Sequence, residues 1–299
     1  MIPYLPEGVN PSPPDAEELR RGLGTGQIFQ AMCIKCDEFH NLHLQLKDGL
    51  AVIPREEAGL GIREGSLKEI AILSRVGKPV CFRIIGREDG TFLLSRRVVQ
   101  EEAQVYFGEH LLPGEIIRAT VTHLEQFGAF VDMGCGLVSM IGVENISVSR
   151  ISHANQRFVP GQKAMAAVLR KEPGRICLTH RELLGTWEEN AAEFTAGMTV
   201  SGIVRRIEPY GVFVELAPNL CGLAERRDDL QVGDGVTVYV KAILPQRMKI
   251  KLVILDRQAG TVRRMLRGED YRITGGHLDL WQYHPEACTE KQVMTRFDT

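Results

Sequence analysis

An aromatic residue, a glycine, any residue and a phenylalanine occur twice in this chain, each time between stretches of alternating polarity. That recurrence limits the possible folds more than any other feature. "GEIIRATVTHLEQFGAFVDMGCGLVSMI" begins at Gly114 and "GMTVSGIVRRIEPYGVFVELAPNLCGLA" at Gly197. Each opens on an alternating strand (Ile117, Ala119, Val121; Val200, Gly202, Val204), steps through the aromatic-glycine turn, alternates again and reaches a Gly-bearing turn. Each is followed by a further strand pair, "VPGQKAMAAVLRKEPGRICLTHREL" and "QVGDGVTVYVKAILPQRMKIKLVIL". Five short strands with turns between them predict a small closed barrel.

A weaker copy lies upstream. "GQIFQAMCIKCDEFHNLHLQLKDGLAVI" begins at Gly26 with Leu42, Leu44 and Leu46 on its inner face, and "VGKPVCFRIIGREDGTFLLSRRV" completes it. Alternation assigns Ala129, Val131 and Met133 to the core and Phe130 and Asp132 to water. By parity His40 and His43 stand where the second copy has Phe127 and Phe130 and the third has Tyr210 and Phe213. Residues three apart on a regular strand face opposite sides, so a turn or bulge at Gly128 and Gly211 is required to bring both rings to one face. Flat rings at matched, water-facing positions form a surface rather than a core.

The expected architecture is all-β with short helices: three tandem five-stranded barrels joined by helical connectors, plus a small C-terminal β extension. An N-terminal arm and short helix capped by Asp15 occupy 1–23, and barrels 24–104, 112–184 and 197–256. A helical linker, part of "RELLGTWEENAAEF", covers 185–196 with an apolar stripe of Leu183, Leu184, Trp187 and Phe194. In 257–299, "YRITGG", "HLDLWQY" and "KQVMTRF" read as extra strands. A formal charge of −2 argues against a tail-type polycation, and no apolar run is long enough to span a bilayer. Seven cysteines without framework spacing suit reduced thiols in a cytoplasm.

"PGEIIRATVTHLEQFGAFVDMGCG" with "GQKAMAAVLRKEPGRICLTHREL" resembles the S1 RNA-binding domain. The resemblance extends over residues 24–256 as three modules, degenerate in the first. The chain as a whole is similar to the short Clostridia-type homologues of bacterial 30S ribosomal protein S1. It implies OB-fold barrels that bind single-stranded RNA through the paired aromatics and an acidic-basic pair at the last turn. Carried over, these are Phe127 and Phe130, Tyr210 and Phe213, with Arg175 and Lys249 as the basic residues and Glu172 as the acid. The family's third-strand His is replaced by Arg55, Gly142 and Glu225. Arg118, Arg170, Lys171, Arg175, Arg205 and Arg206 are expected beside this ring platform and would attract a phosphate backbone. The implied partners are single-stranded RNA and the 30S subunit, with no membrane and no small-molecule substrate. The second module is expected to dominate.

Sharper chemistry fares worse. Cys33, Cys36, His40 and His43 invite a zinc reading, but only three residues separate the pairs, and Cys33 and Cys36 should face opposite sides of one strand. "HLDLWQYHPEAC" has no partner cluster, and no phosphate loop, nucleophile elbow or carboxylate pair occurs. Neither an enzyme nor a cofactor is expected. The competing reading is a protein-interaction module that kept the barrels and docks to the ribosome or an RNA-processing assembly.

Overall fold

The computed structural model describes residues 2–9, 12–88 and 91–298. They divide into two compact units: residues 1–111 with 132–138, and 112–131 with 139–299.

In the first unit Asp15 caps α1 (Ala16–Gly22) through a reciprocal hydrogen-bond pair with Glu18. Strands β1 (Phe29–Cys36), β2 (Leu42–Gln45), β3 (Leu50–Ile53), β4 (Pro79–Glu88) and β5 (Thr91–Ser95) form one sheet in the order β3-β2-β1-β4-β5, and β3 also lies against β5. Its core contains Leu42, Leu44 and Leu46, as alternation required, with Phe29, Phe82 and Leu19. Helix α2 (Ile70–Leu73) lies in the connector between β3 and β4. The sequence reading missed helix α3 (Arg97–His110), although its signal was present: Val99, Ala103 and Phe107 recur every fourth residue and are all buried.

The second barrel closes β6 (Ile116–Glu125), β7 (Gly128–Gly134), β8 (Leu137–Gly142), β9 (Lys163–Glu172) and β10 (Arg175–Thr179). The third closes β11 (Thr199–Glu208), β12 (Gly211–Ala217), β13 (Leu220–Ala224), β14 (Asp234–Leu244) and β15 (Lys249–Thr261) with the same topology. In both, the fifth strand runs parallel to the third. Strand β15 continues five residues past the expected end of the barrel at 256.

Two elements differ from expectation. The linker is not one helix: Gly185, at φ 82°, separates a 3-10 turn (Arg181–Leu184) from the five-residue α4 (Trp187–Ala191), which Thr186 and Glu189 cap reciprocally. "YRITGG" is not a strand: the Tyr271 hydroxyl accepts from Met165 N–H and faces His180, and the Arg272 and Ile273 N–H groups both donate to the single Leu183 carbonyl rather than to a ladder. The extension does form β16 (Leu280–Gln282) and β17 (Met294–Arg296). Trp187, Trp281, Tyr283 and Phe297 share one core with Val204, Val214, Val238 and Ile250 of the third barrel.

Candidate nucleic-acid interface

Each closed barrel carries the same ring pair at the turn between its first two strands. Phe127 and Phe130 meet edge to face with centroids 6.0 Å apart at 88°; Tyr210 and Phe213 do so at 6.2 Å and 87°. Edge-to-face packing leaves ring faces open for a stacked base. The turn residue is the exposed one, Phe127 at 55% and Tyr210 at 68%, while Phe130 and Phe213 are half-buried. Glycine is required beside them because of close backbone approach. A Cβ on Gly128 would lie 2.4 Å from the Ile141 carbonyl oxygen, and one on Gly211 2.6 Å from that of Ala224. A third ring, His123 of β6, stands 6.1 Å from Phe130. Its signal in the sequence is local, four residues before Phe127 in "HLEQFGAF".

Strand register extends each pair into a row. In the third barrel Arg206, Phe213, Leu223 and Lys251 are successive cross-strand neighbours on β11, β12, β13 and β15. In the second, Met140, Cys177 and Arg170 are neighbours on β8, β10 and β9. Met140 therefore matches Leu223, Cys177 matches Lys251, and Arg175 and Lys249 each open the fifth strand two residues earlier. Lys251 was missed because only the register reveals it.

The cations are partly committed. Glu172 accepts from Arg170 at 2.8 Å and lies 3.1 Å from Arg175, and these contacts, the Arg170 hydrogen bond first, hold its carboxyl below the usual range. Arg206 pairs with Glu208, and Lys249 lies 3.8 Å from Glu290. Lys171 and Arg118 lie on β9 and β6, Arg118 exposed. Arg205 is not a surface cation. Register slips between Val204 and Arg206, a bulge that turns Arg205 inward onto the buried Glu215 at 2.6 Å.

Asp132 does not face water either. It is 3% exposed, and its carboxylate accepts from the backbone N–H groups of Glu7, Gly134 and Gly136 at 2.7–3.0 Å. Burial, with Glu7 nearby, pushes its pKa up to about 7.

The first barrel departs most. His43 pairs with Lys35 across the strands as Phe213 pairs with Arg206, but the intervening turn is one residue longer. Phe39 takes the exposed turn position, at 70%, and His40 sits behind it at φ 63°. Asp37 ties the turn by accepting from Phe39 and Asn41 N–H, and its Oδ2 lies 3.0 Å from His43 Nε2. With the His43 contact as the largest cause, the Asp37 carboxyl falls to about 2. His40 Nδ1 lies 3.5 Å from Glu69. A bulge between Cys33 and Lys35 also overturns the opposite-faces expectation for the cysteines: Cys33 is in the core and Cys36 packs against it.

Among the described residues no helix is long and apolar enough to cross a membrane. Residues 112–181, the second barrel, match the S1 RNA binding domain. The chain is 32% identical over 60% of its length to small ribosomal subunit protein bS1 of Leuconostoc lactis, of which it covers 46%. It is 28% identical over 71% of its length to a bS1 homolog of Bacillus cereus, of which it covers 57%. It thus spans about half the length of these relatives. A multidomain protein with nucleic acid binding domains from Streptococcus pneumoniae aligns over 79% of this chain and 76% of that one. Its 14% identity and TM-score of 0.26 are too low for any argument to rest on.

Proposed function

We propose that this chain holds single-stranded RNA, messenger RNA in association with the small ribosomal subunit, on the outer faces of its barrels and without catalysis. The observation that carries this reading is the repeated ring pair, with matched distance and angle in two barrels and, in the third, cations at both ends of its row. Stacking on such rings contributes about 1–3 kcal/mol per base whatever the base, and flanking cations add a salt-dependent term. Phe127, Phe130, Arg170, Lys171 and Arg175 form one such surface; Tyr210, Phe213, Arg206, Lys249 and Lys251 form the other. The S1 match over the second barrel and the bS1 relatives support it.

A docking role has one observation in its favour, confined to the first barrel: His40 and His43 both face carboxylates, which repel a phosphate backbone. Fluorescence anisotropy with labelled single-stranded and duplex RNA across a salt series separates the readings. Single strands should bind and duplex should compete poorly, since its bases are already stacked. Equal affinity for both would leave only a charged surface, and no RNA binding at all would leave the docking reading.

A further inference from the structure

Beside Phe213 lies a hollow of about 270 Å³ that the ring surface does not account for. Its walls come from four places: the 148–150 loop, α4, the third barrel and the C-terminal extension. Trp187, Phe213, Tyr283, Val148 and Met248 supply flat or apolar surface. Arg150, Arg206 and Lys291 supply positive charge, Arg205 lines it with its guanidinium turned onto Glu215, and among the described residues no acidic side chain lines it.

Four features set this hollow apart from an ordinary surface groove. Arg150 and Lys291 are exposed and have no ion pair among the described residues, and the acid next to Lys291, Glu290, faces Arg247 and Lys249 instead. Beneath the hollow, the buried Glu215 is shared by three guanidiniums, Arg157 at 2.5 Å, Arg205 at 2.6 Å and Arg264 at 3.8 Å, which leaves a cationic excess. Arg157 is fully buried and its Nε has no hydrogen-bond partner among the described residues. The polar wall is held firmly: Asn219 accepts from Val148 N–H at 2.9 Å and donates to the Arg181 and Gly185 carbonyls. Met248 is held in the left-handed region at φ 46°, a strained conformation for a side chain that lines a site.

A hollow that is cationic, acid-free and flanked by flat rings matches a ligand with a planar apolar part and an anion. Its volume, just below the usual range of about 300–1,000 Å³ for ligand pockets, suits one such unit. We propose that it is a nucleotide pocket. A phosphorylated nucleoside seats its base against the Phe213 and Tyr283 side and its phosphate against Arg150, Arg206 and Lys291. The ligand is either one residue of a strand lying across the third barrel, in which case the inference rests on the RNA reading above, or a free nucleotide.

The test uses the full chain and the double variant Arg150→Ala with Lys291→Ala, two exposed residues whose loss should leave the thermal melt unchanged. An oligouridine of about ten nucleotides and adenosine 5′-monophosphate are titrated across a salt series, within the span such barrels usually cover. For a strand, the variant should bind about tenfold more weakly, and its log–log salt slope should fall by about 1.4, as expected for two lost phosphate contacts on a single strand. The mononucleotide should compete with wild type and not with the variant. Unchanged RNA affinity and slope, with no mononucleotide binding, would overturn the pocket and leave the barrel reading intact. Mononucleotide binding lost in the variant, in a chain that binds no RNA, would keep the pocket and sink the barrel reading. If neither probe binds, both fall. Restoring both charges as Arg150→Lys with Lys291→Arg should recover most of the loss.

Discussion

The second and third barrels hold their ring pairs within 0.2 Å and one degree of each other, as 6.0 Å at 88° against 6.2 Å at 87°. The first barrel, with the same strand order, has no such pair at His40 and His43. The backbone makes the difference. Gly128 and Gly211 let the turn press against a neighbouring carbonyl, and the second ring then comes two residues later. The first barrel has Asn41 and one extra residue at this place, so Asp37 closes the turn and captures His43. Ring geometry is dictated by the turn, while charge is set independently by whichever acids stand nearby. The two can be perturbed separately.

The largest effect should come from removing both ring pairs. Replacing Phe127, Phe130, Tyr210 and Phe213 together by Ala should weaken single-stranded RNA binding by about a hundredfold or more, at about 1–3 kcal/mol per stacked base. The second-barrel pair alone should cost at least about tenfold, and the third-barrel pair somewhat less. Phe127 and Tyr210 are mostly exposed, so their single truncations should barely move the melt. A collapse of stability with unchanged RNA affinity would make the rings structural.

The barrels also differ immediately after the fifth strand. Arg96 after β5 is held by Glu7 at 2.8 Å, β15 simply continues, and β10 leads into the fully buried His180. His180 Nδ1–H donates to the Ile146 carbonyl and Nε2 faces the Tyr271 hydroxyl at 3.0 Å, an arrangement for a neutral ring. Burial drops its pKa to about 4. The unfolded chain takes up this proton near pH 6.5 and the folded chain does not, so stability falls as pH drops between those values. From about pH 7 to about pH 5 the loss should be about 2 kcal/mol. Chemical denaturation of wild type and His180→Gln at both pH values checks it: the variant should be less stable at neutral pH and lose less on acidification. Equal losses would assign the acid sensitivity to other groups.

Legibility in the sequence divides along the same line. Barrel number, core faces and the aromatic turn rest on alternation and glycine, which are local, and Leu42, Leu44, Ile117, Ala119 and Val121 are all buried as read. Parity failed at bulges. One extra residue in β1 or β11 moves Arg205 inward and Cys36 toward the core. It failed again at Asp132, whose partners include an N–H 125 positions away. Lys251 and the Arg150–Lys291 hollow depend on register and on chain segments distant in sequence, and no single strand's pattern encodes either.

Phe39 gives a smaller effect within the first barrel. It holds the exposed turn position that Phe127 and Tyr210 hold elsewhere, but among the described residues it has no edge-to-face partner. If the first barrel touches RNA at all, Phe39→Ala should cost about fivefold, the low end of the stacking range, and His43→Ala less, because Asp37 holds its ring. Titration of each variant decides it. Loss at His43 and none at Phe39 would restore the parity reading, and no loss at either would leave this barrel a structural or docking module.

The finest comparison changes charge and leaves the rings alone. Glu172 ties down Arg170 and Arg175 in the second barrel, and Glu208 ties down Arg206 in the third. All three arginines are about half exposed, so solvent screens these pairs and each is worth little to folding. Toward RNA the acids matter differently, because each occupies a guanidinium and adds a like charge near the phosphate track. Glu172→Gln and Glu208→Gln should each raise affinity about threefold at low salt and steepen the salt slope, with melts unchanged. Both effects should fade as salt rises, since exposed charges are screened within a Debye length of about 10 Å at 0.1 M salt. A gain at Glu172 alone would confine the strand to the second barrel, and a gain at Glu208 alone would confine it to the third. A gain at neither would mean that the arginines stay with their acids when RNA binds, so that the rings carry the affinity and charge only steers the approach.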